Sequence, residues 1–330
     1  MHKYIKHFYL IFYILLFLFL INSYSFSQIG FSQDKRKENL IIDIDPGNFV
    51  EDLMMLQLAL NSPEVNILGV VTTSSYYSND PFGSSKVVLK FLDIAGRKDI
   101  PVAQGLKSKE IPNLEEFLQM NVNEKWAKDY PTERLNILSG PKFIDSLLEK
   151  NKSVTIIATG PFSNISELIS SSKNLYNLSK IVIMGTNFGS LMEPIDYNVR
   201  SDVDAAINIL NSEVPTIIVP ANVTWNLILW ERYYNKMKQG NKACKTLYEL
   251  EENLLRSWGN GEKSENLPVM FDSFTFSTII DENMGYYHSV YVNIDENGRT
   301  TIDAKGKQKI VYQTVDTKNF YDFFMDRICK

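Results

Sequence analysis

Histidine and cysteine are almost absent from this chain. Of 330 residues, three are His and two are Cys. His2 and His7 fall in an apolar N-terminal segment, which leaves His288 alone in the strand-like run "YYHSVYV". No Cys/His spacing of a zinc site occurs, and a histidine-dependent triad has almost no raw material. Cys244 and Cys329 are too few for a disulfide framework; they either pair in an oxidising compartment or stay as two buried thiols. A basic surplus is missing as well. The formal net charge of −5 becomes −7 once Lys3 and Lys6 of the N-terminal segment are removed, which argues against nucleic acid or an anionic membrane surface as partner. After that segment there is no internal repeat and no low-complexity tract. Aromatics are plentiful instead, with 17 Tyr and 19 Phe, and 44% of the residues are hydrophobic. That composition supports a large core and does not fit a disordered chain.

Residues 1–28 open on Lys3 and Lys6, run apolar from about Phe8 to Ile21 and end in small polar residues. This is the layout of a secretory signal peptide. The alternative is an uncleaved anchor, but the apolar run is short for a spanning helix, which needs roughly 20 residues. Cleavage is expected to leave one domain, residues 29–330, exported to the periplasm or the medium with no stable membrane anchor.

From residue 39 onward, β-rich apolar runs alternate with helical patterns. "NLIIDID", "EVNILGVVTT", "IPVAQG", "SVTIIATG", "KIVIMG" and "PTIIVP" read as strands. "EDLMMLQLAL", "SSKVVLKFLDIAG", "SGPKFIDSLLEK", "SNISELISS" and "SDVDAAINIL" read as helices. Residues 107–138 read as an irregular surface excursion, 226–258 as helical, and "GNGEKSENLP" as a linker. "VMFDSFTFSTIID" and "DTKNFYDFFMDRI" are expected helices, with terminal strands between them. Such alternation predicts an α/β fold: an open, Rossmann-related, mostly parallel central sheet with helices on both faces. Ligands bind beyond the carboxyl ends of the strands in such sheets.

The polar clusters sit at those ends. "IIDIDPGNFVEDLMML" gathers Asp43, Asp45, Asn48, Glu51 and Asp52 where the first strand meets its helix. Close carboxylates repel strongly where water is scarce, so a cation or a hydroxyl-rich ligand is expected there. Calcium takes six to eight oxygen ligands, and Asp45 and Asp52 on the two lips of one loop could grip one. A plain acidic helix start explains the same residues.

The order of fragments along the chain narrows the choice. Asp43-Ile-Asp45-Pro-Gly47-Asn-Phe-Val-Glu51-Asp52 resembles the opening motif of the calcium-dependent nucleoside hydrolases, the inosine/uridine-preferring N-ribohydrolases, in a form with a longer loop in which Phe49 and Glu51 replace two Asp. "ILGVVTT", "VLKFLDIAGRKDIPVAQG", "TIIATGPFSNISELI", "KIVIMG" with "PIDYNVRSDVDAA", and "PVMFDSFTFSTIID" are similar to further blocks of that family, in its order. The resemblance covers most of residues 39–315. It implies hydrolysis of the N-glycosidic bond of a ribonucleoside or related riboside, as used in purine and pyrimidine salvage. Asp45 would act as general base on a Ca2+-bound water, through an oxocarbenium-like transition state. It implies Ca2+ ligands in Asp45, Asp52, the Thr159 carbonyl and Asp272. Glu51, Asp196 and Asn198 would bind ribose hydroxyls, and a homodimer or homotetramer is the family expectation.

The chain also departs from the pattern. Phe271 stands where many members have His. Glu51 replaces an Asp and is one methylene longer. "SSYYSND" replaces the family's Gly-Asn, so Tyr76, Tyr77 or Asn79 would line the site in its place. "MGTNFG" lacks the second Gly and an Asn, for which Asn187 could stand in. Tyr77, Trp225 and Trp230 are candidates to stack on a base, or plain core aromatics. Asp196 and Asn198 could be turn formers, Asp272 a helix cap, Thr159 a tight-turn residue and Asn164 a structural loop residue. The alternatives to a nucleoside hydrolase are a hydrolase of the same fold acting on another glycosyl substrate, or a non-catalytic Ca2+- and sugar-binding protein.

Overall fold

Val, Ile and Leu fill the strand starts, and polar residues wait at the strand ends. In β1 (Glu38–Ile44), residues Leu40 to Ile44 are all buried. Leu40, Ile42 and Ile44 face one core, and Ile41 faces a second core on the other side of the sheet. Burial on both faces is the mark of a central parallel strand.

The computed structural model describes residues 37–111, 121–189, 195–259 and 268–330. The segment read as a signal peptide lies outside them. So do residues 112–120 of the expected excursion, the end of "MGTNFGSLMEP" and most of the expected linker. Residues Lys37–Lys330 pack as one unit.

The strands are β1, β2 (Val65–Ser74), β3 (Val102–Lys107), β4 (Leu135–Asn136), β5 (Val154–Ala158), β6 (Leu178–Met184), β7 (Thr216–Val219), β8 (Gly285–Ile294), β9 (Thr300–Ile302) and β10 (Lys307–Val315). They form one open sheet in the order β4-β3-β2-β1-β5-β6-β7-β10-β8-β9. Pairings from β4 through β10 are parallel, and β8 and β9 add an antiparallel edge. Among the described residues no helix is long and apolar enough to cross a membrane.

Helices cover both faces. The first core packs α1 (Glu51–Leu60), α2 (Gly83–Ile94), α3 (Val122–Ala127), α9 (Glu231–Met237), α10 (Lys242–Trp258), α11 (Phe271–Ile280) and α12 (Thr317–Arg327). The second packs α4 (Gly140–Lys150), α5 (Ser163–Ser171) and α7 (Val203–Asn211). Two short helices, α6 (Tyr197–Ser201) and α8 (Ala221–Thr224), sit at strand ends. Asp202 caps α7, its carboxylate accepting from Ala205 N at 3.3 Å.

Three expectations change. The segment 107–138 is not wholly irregular: it holds α3 and β4. The helical run 226–258 is two helices, because Asn241 starts α10 anew, its side chain accepting from Cys244 N at 2.9 Å. The short strand β9 was not foreseen. Cys244 and Cys329 form a disulfide, Cα atoms 5.3 Å apart, that ties the start of α10 to the chain after α12.

The chain runs from β1 outward through β2, β3 and β4, then returns to β5 on the other side of β1 and continues through β6 and β7. The strand order reverses between β1 and β5. In an open α/β sheet that reversal leaves a crevice beyond the carboxyl ends of the two strands.

Candidate active site

The crevice is a cavity of about 740 Å³. Asp45, Glu51, Asp52, Thr159, Asp196, Asn198 and Asp272 all line it, so four separate stretches of sequence converge there.

Asp45 follows β1 and Asp52 stands in the first turn of α1. They are joined across the loop by Asp45 N, which donates to Asp52 Oδ1 at 3.1 Å. Thr159 follows β5, and its N–H donates to Asp43 O at 3.0 Å, which keeps the two strand ends in register. Gly160 comes next. A Cβ there would lie 2.9 Å from Asp45 Oδ1, so glycine is needed for the close approach of the two strand ends. From the far end of the sequence, α11 presents Phe271 and Asp272; Asp272 N donates to Glu51 Oε2 at 3.3 Å. Asp272 is inside the first helical turn, with Met270 at the cap position, and is not a cap.

The wall after β6 carries Asp196 and Asn198. Asp196 caps α6 by accepting from Asn198 N at 2.9 Å. The Asn198 amide donates to Thr159 O at 2.7 Å and to Met184 O at 3.2 Å. It therefore positions the carbonyl expected to be a metal ligand, which keeps a second lone pair.

Burial raises the carboxyls of Asp43, Asp45, Glu51, Asp52 and Asp272. Asp43 is pushed up to about 7, chiefly by desolvation, against the Asn164 hydrogen bond that lowers it. Burial pushes Asp52 up to about 7, while the Asp45 N–H and a side-chain bond with Asp272 hold it back. Asp45, Glu51 and Asp272 rise well above the usual carboxylate range, through burial first and repulsion from their neighbours second. Among the described residues, no lysine or arginine forms an ion pair with Asp45, Glu51, Asp52 or Asp272. Nor do three Asp, Glu, His or Cys side chains among those residues stand, as placed, close enough together to hold a metal ion. Asp52 and Asp272 lie close enough for their carboxyls to act on each other, Asp272 holding Asp52 back and Asp52 pushing Asp272 up. Hard oxygen donors in that state fit a divalent cation such as calcium, which exchanges for protons on binding.

Not every expected residue reaches the cavity. Tyr77 does not line it; its hydroxyl donates to Ile111 O. Asn187 is buried beside it, its carbonyl accepting from Thr300 Oγ1 at 3.0 Å, and does not line it either. Trp230 is half-exposed and away from it. Trp225 does line it, edge-on to Phe271 with ring centroids 5.3 Å apart. Tyr197, Arg200 and Trp258 line it too and were missed. Arg200 stands one helical turn beyond Asp196, a spacing that could have flagged it. Trp258 ends a long amphipathic helix and gives no such signal.

Comparison with known proteins identifies the family. The model of the inosine-uridine preferring nucleoside hydrolase family matches residues 40–322. The pyrimidine-specific ribonucleoside hydrolase RihA of Escherichia coli O81 (strain ED1a) is 30% identical over 309 residues, covering 88% of this chain and 97% of that protein. Among solved structures, the purine-preferring ribonucleoside hydrolase from Gardnerella vaginalis superposes with a TM-score of 0.76 at 22% identity, over 88% of this chain and 98% of the other. The plant nucleoside hydrolase PpNRh1 gives 0.75 at 20% identity, over 89% and 99%. With the family model spanning most of the chain, this protein belongs to the inosine-uridine preferring nucleoside hydrolase family and is an N-glycosyl hydrolase.

Proposed function

We propose that the protein hydrolyses the N-glycosidic bond of a ribonucleoside with Asp45 as general base, and that Asp45, Asp52, the Thr159 carbonyl and Asp272 hold Ca2+. The observation that carries this reading is the gathering of Asp45, Asp52 and Asp272 around one cavity with no cationic side chain paired to them among the described residues. Bound there, calcium supplies positive charge that makes a nearby water a stronger acid and offers hard sites to sugar hydroxyls.

The residues divide the remaining work. Asp45 takes a proton from the attacking water as the water oxygen bonds to C1′. The C1′–N bond breaks, and its electron pair leaves with the base. Glu51 and Asp196 place negative charge around the sugar, where positive charge develops in the transition state. Asn198 offers its remaining polar capacity to a sugar hydroxyl. Phe271 has no proton to give, so catalysis rests on the sugar cation and not on a side-chain acid at that position. Phe271, Trp225 and Trp258 form an apolar wall suited to a flat base. RihA acts on pyrimidine and the Gardnerella enzyme prefers purine nucleosides, so both classes belong in the assay. A different pentosyl group is the second reading, favoured by Glu51, whose extra methylene lets it engage Asp272 N. Export as a dimer or tetramer is part of the same proposal; the Cys244–Cys329 disulfide supports an oxidising compartment.

Purified protein incubated with uridine, inosine and adenosine is expected to release reducing sugar from at least one, and to stop in EDTA. No release from any nucleoside would overturn the assignment. Asp45→Asn is expected to lower kcat by about 10²–10⁴-fold; unchanged turnover would remove Asp45 as the base.

A further inference from the structure

The loop from Pro46 to Val50, between the two metal-facing aspartates, has no helix or strand of its own. Its carbonyls are held from outside by α3. Asn123 is fully buried, and its amide donates to Pro46 O at 2.9 Å and to Phe49 O at 2.6 Å. The next residue, Glu124, donates its main-chain N–H to Gly47 O at 3.3 Å. Two neighbouring residues of one short helix thus bind three carbonyls of the loop.

The Glu124 side chain completes the grip. A Cβ on Gly47 would lie 3.1 Å from Glu124 Oε1, and one on Gly83 would lie 2.5 Å from its Cδ. Neither glycine has left-handed backbone, so both are small to make room for this carboxyl. Ser78 Oγ fixes it by donating to Glu124 Oε2 at 2.7 Å.

We propose that Asn123 and Glu124 are positioning residues for the cation site: they hold the loop that sets Asp45 opposite Asp52. The inference rests on the calcium assignment above. Ordering a free loop costs conformational entropy, and a loop already ordered removes that cost from metal binding. Groups that orient metal ligands are worth about 10–100-fold in affinity.

The test is titration of calcium alone into EDTA-stripped full-length protein, followed by calorimetry. Wild type is expected to bind saturably, and Asn123→Ala with a Kd about 10–100-fold higher. Asn208→Ala is the control: its amide donates to Ser166 O, Ser166 Oγ and Ser170 Oγ at 2.9–3.0 Å on the other face of the sheet. It is expected to cost stability and leave Kd unchanged. A wild type that binds no calcium overturns the calcium assignment and this inference with it. A wild type that binds, beside a folded Asn123→Ala with the same Kd, overturns the positioning role alone. Should Asn123→Ala fail to fold, Gly47→Ala decides. It is expected to weaken binding, because its methyl presses on the Glu124 carboxyl and displaces the loop, and undiminished binding overturns the role.

Discussion

Replacing Asn164 by alanine tests whether one buried amide holds the floor of the site. Asn164 is fully buried in the first turn of α5. Its Nδ2 donates to Asp43 Oδ1 at 2.9 Å and to Thr73 Oγ1 at 3.1 Å, and its Oδ1 accepts from Leu106 N at 2.8 Å. The amide therefore joins β1, β2 and β3. Alanine leaves Asp43 Oδ1 and the Leu106 N–H buried and unsatisfied, while the Thr73 hydroxyl can rotate elsewhere. Each such group costs about 1–3 kcal/mol, and the lost volume adds to that, for a total of ~4 kcal/mol. At about 2 °C per kcal/mol for a large domain, Tm falls by roughly 8 °C. Asn164→Asp separates donor from acceptor. It keeps an oxygen for Leu106 N but sets a second carboxyl against Asp43, which burial already pushes up to about 7. Its deficit is expected to be largest above about pH 7 and to shrink toward pH ~5, where the pair can share a proton. Scanning calorimetry of both variants at the two pH values measures this. A Tm loss under about 2 °C for alanine, or an Asp variant indifferent to pH, refutes the reasoning.

Three further outcomes are expected. Gly160→Ala drives a Cβ to within 2.9 Å of Asp45 Oδ1, so kcat should fall by roughly 10²-fold in a folded protein; full activity would show that Asp45 tolerates displacement. Thr186→Gly should raise stability by about 1 kcal/mol in urea unfolding, because Thr186 is held at φ 73°, where a β-branched residue is strained; a loss would contradict this. Metal-free protein should lose stability as pH rises. Asp43 and Asp52 are raised from 3.8 to about 7 in the folded state, so their contribution is full below about pH 4 and lost as pH passes through 7. Thermal melts in EDTA and in calcium should diverge across that window, and parallel curves would count against a cation in the cluster.

Much of this was legible because the parallel core announces itself. A strand buried on both faces has to be continuously apolar, so "LIIDI" and "VTIIA" marked β1 and β5, and the acids after β1 marked the crevice. What was hidden depends on polar contacts. The helix α3 turns Asn123 and Glu124 inward, toward loop carbonyls and a serine, so no apolar periodicity reveals it. Tyr77 was misjudged for the same reason: its hydroxyl has a carbonyl partner at Ile111, brought near by the fold alone. Thr186 keeps a left-handed conformation at the position where the family pattern has its second Gly, and side-chain chemistry cannot announce that. The pairing of Cys244 with Cys329 depended on α10 and α12 meeting, which no local pattern encodes.

The acids at the strand ends are tolerated through the placement of two helices. Glu51 and Asp52 lie in the first turn of α1, and Asp272 in the first turn of α11. A helix N-terminus carries roughly half a positive charge, so two of them offset about one carboxylate. Asp45, Glu51, Asp52 and Asp272 amount to four. Among the described residues no lysine or arginine pairs with them, so the balance has to come from protons or from a cation. The raised carboxyls of Asp52 and Asp272 are the proton form of that deficit. A divalent ion would answer it by drawing in oxygen ligands from the walls of the crevice where the sheet reverses.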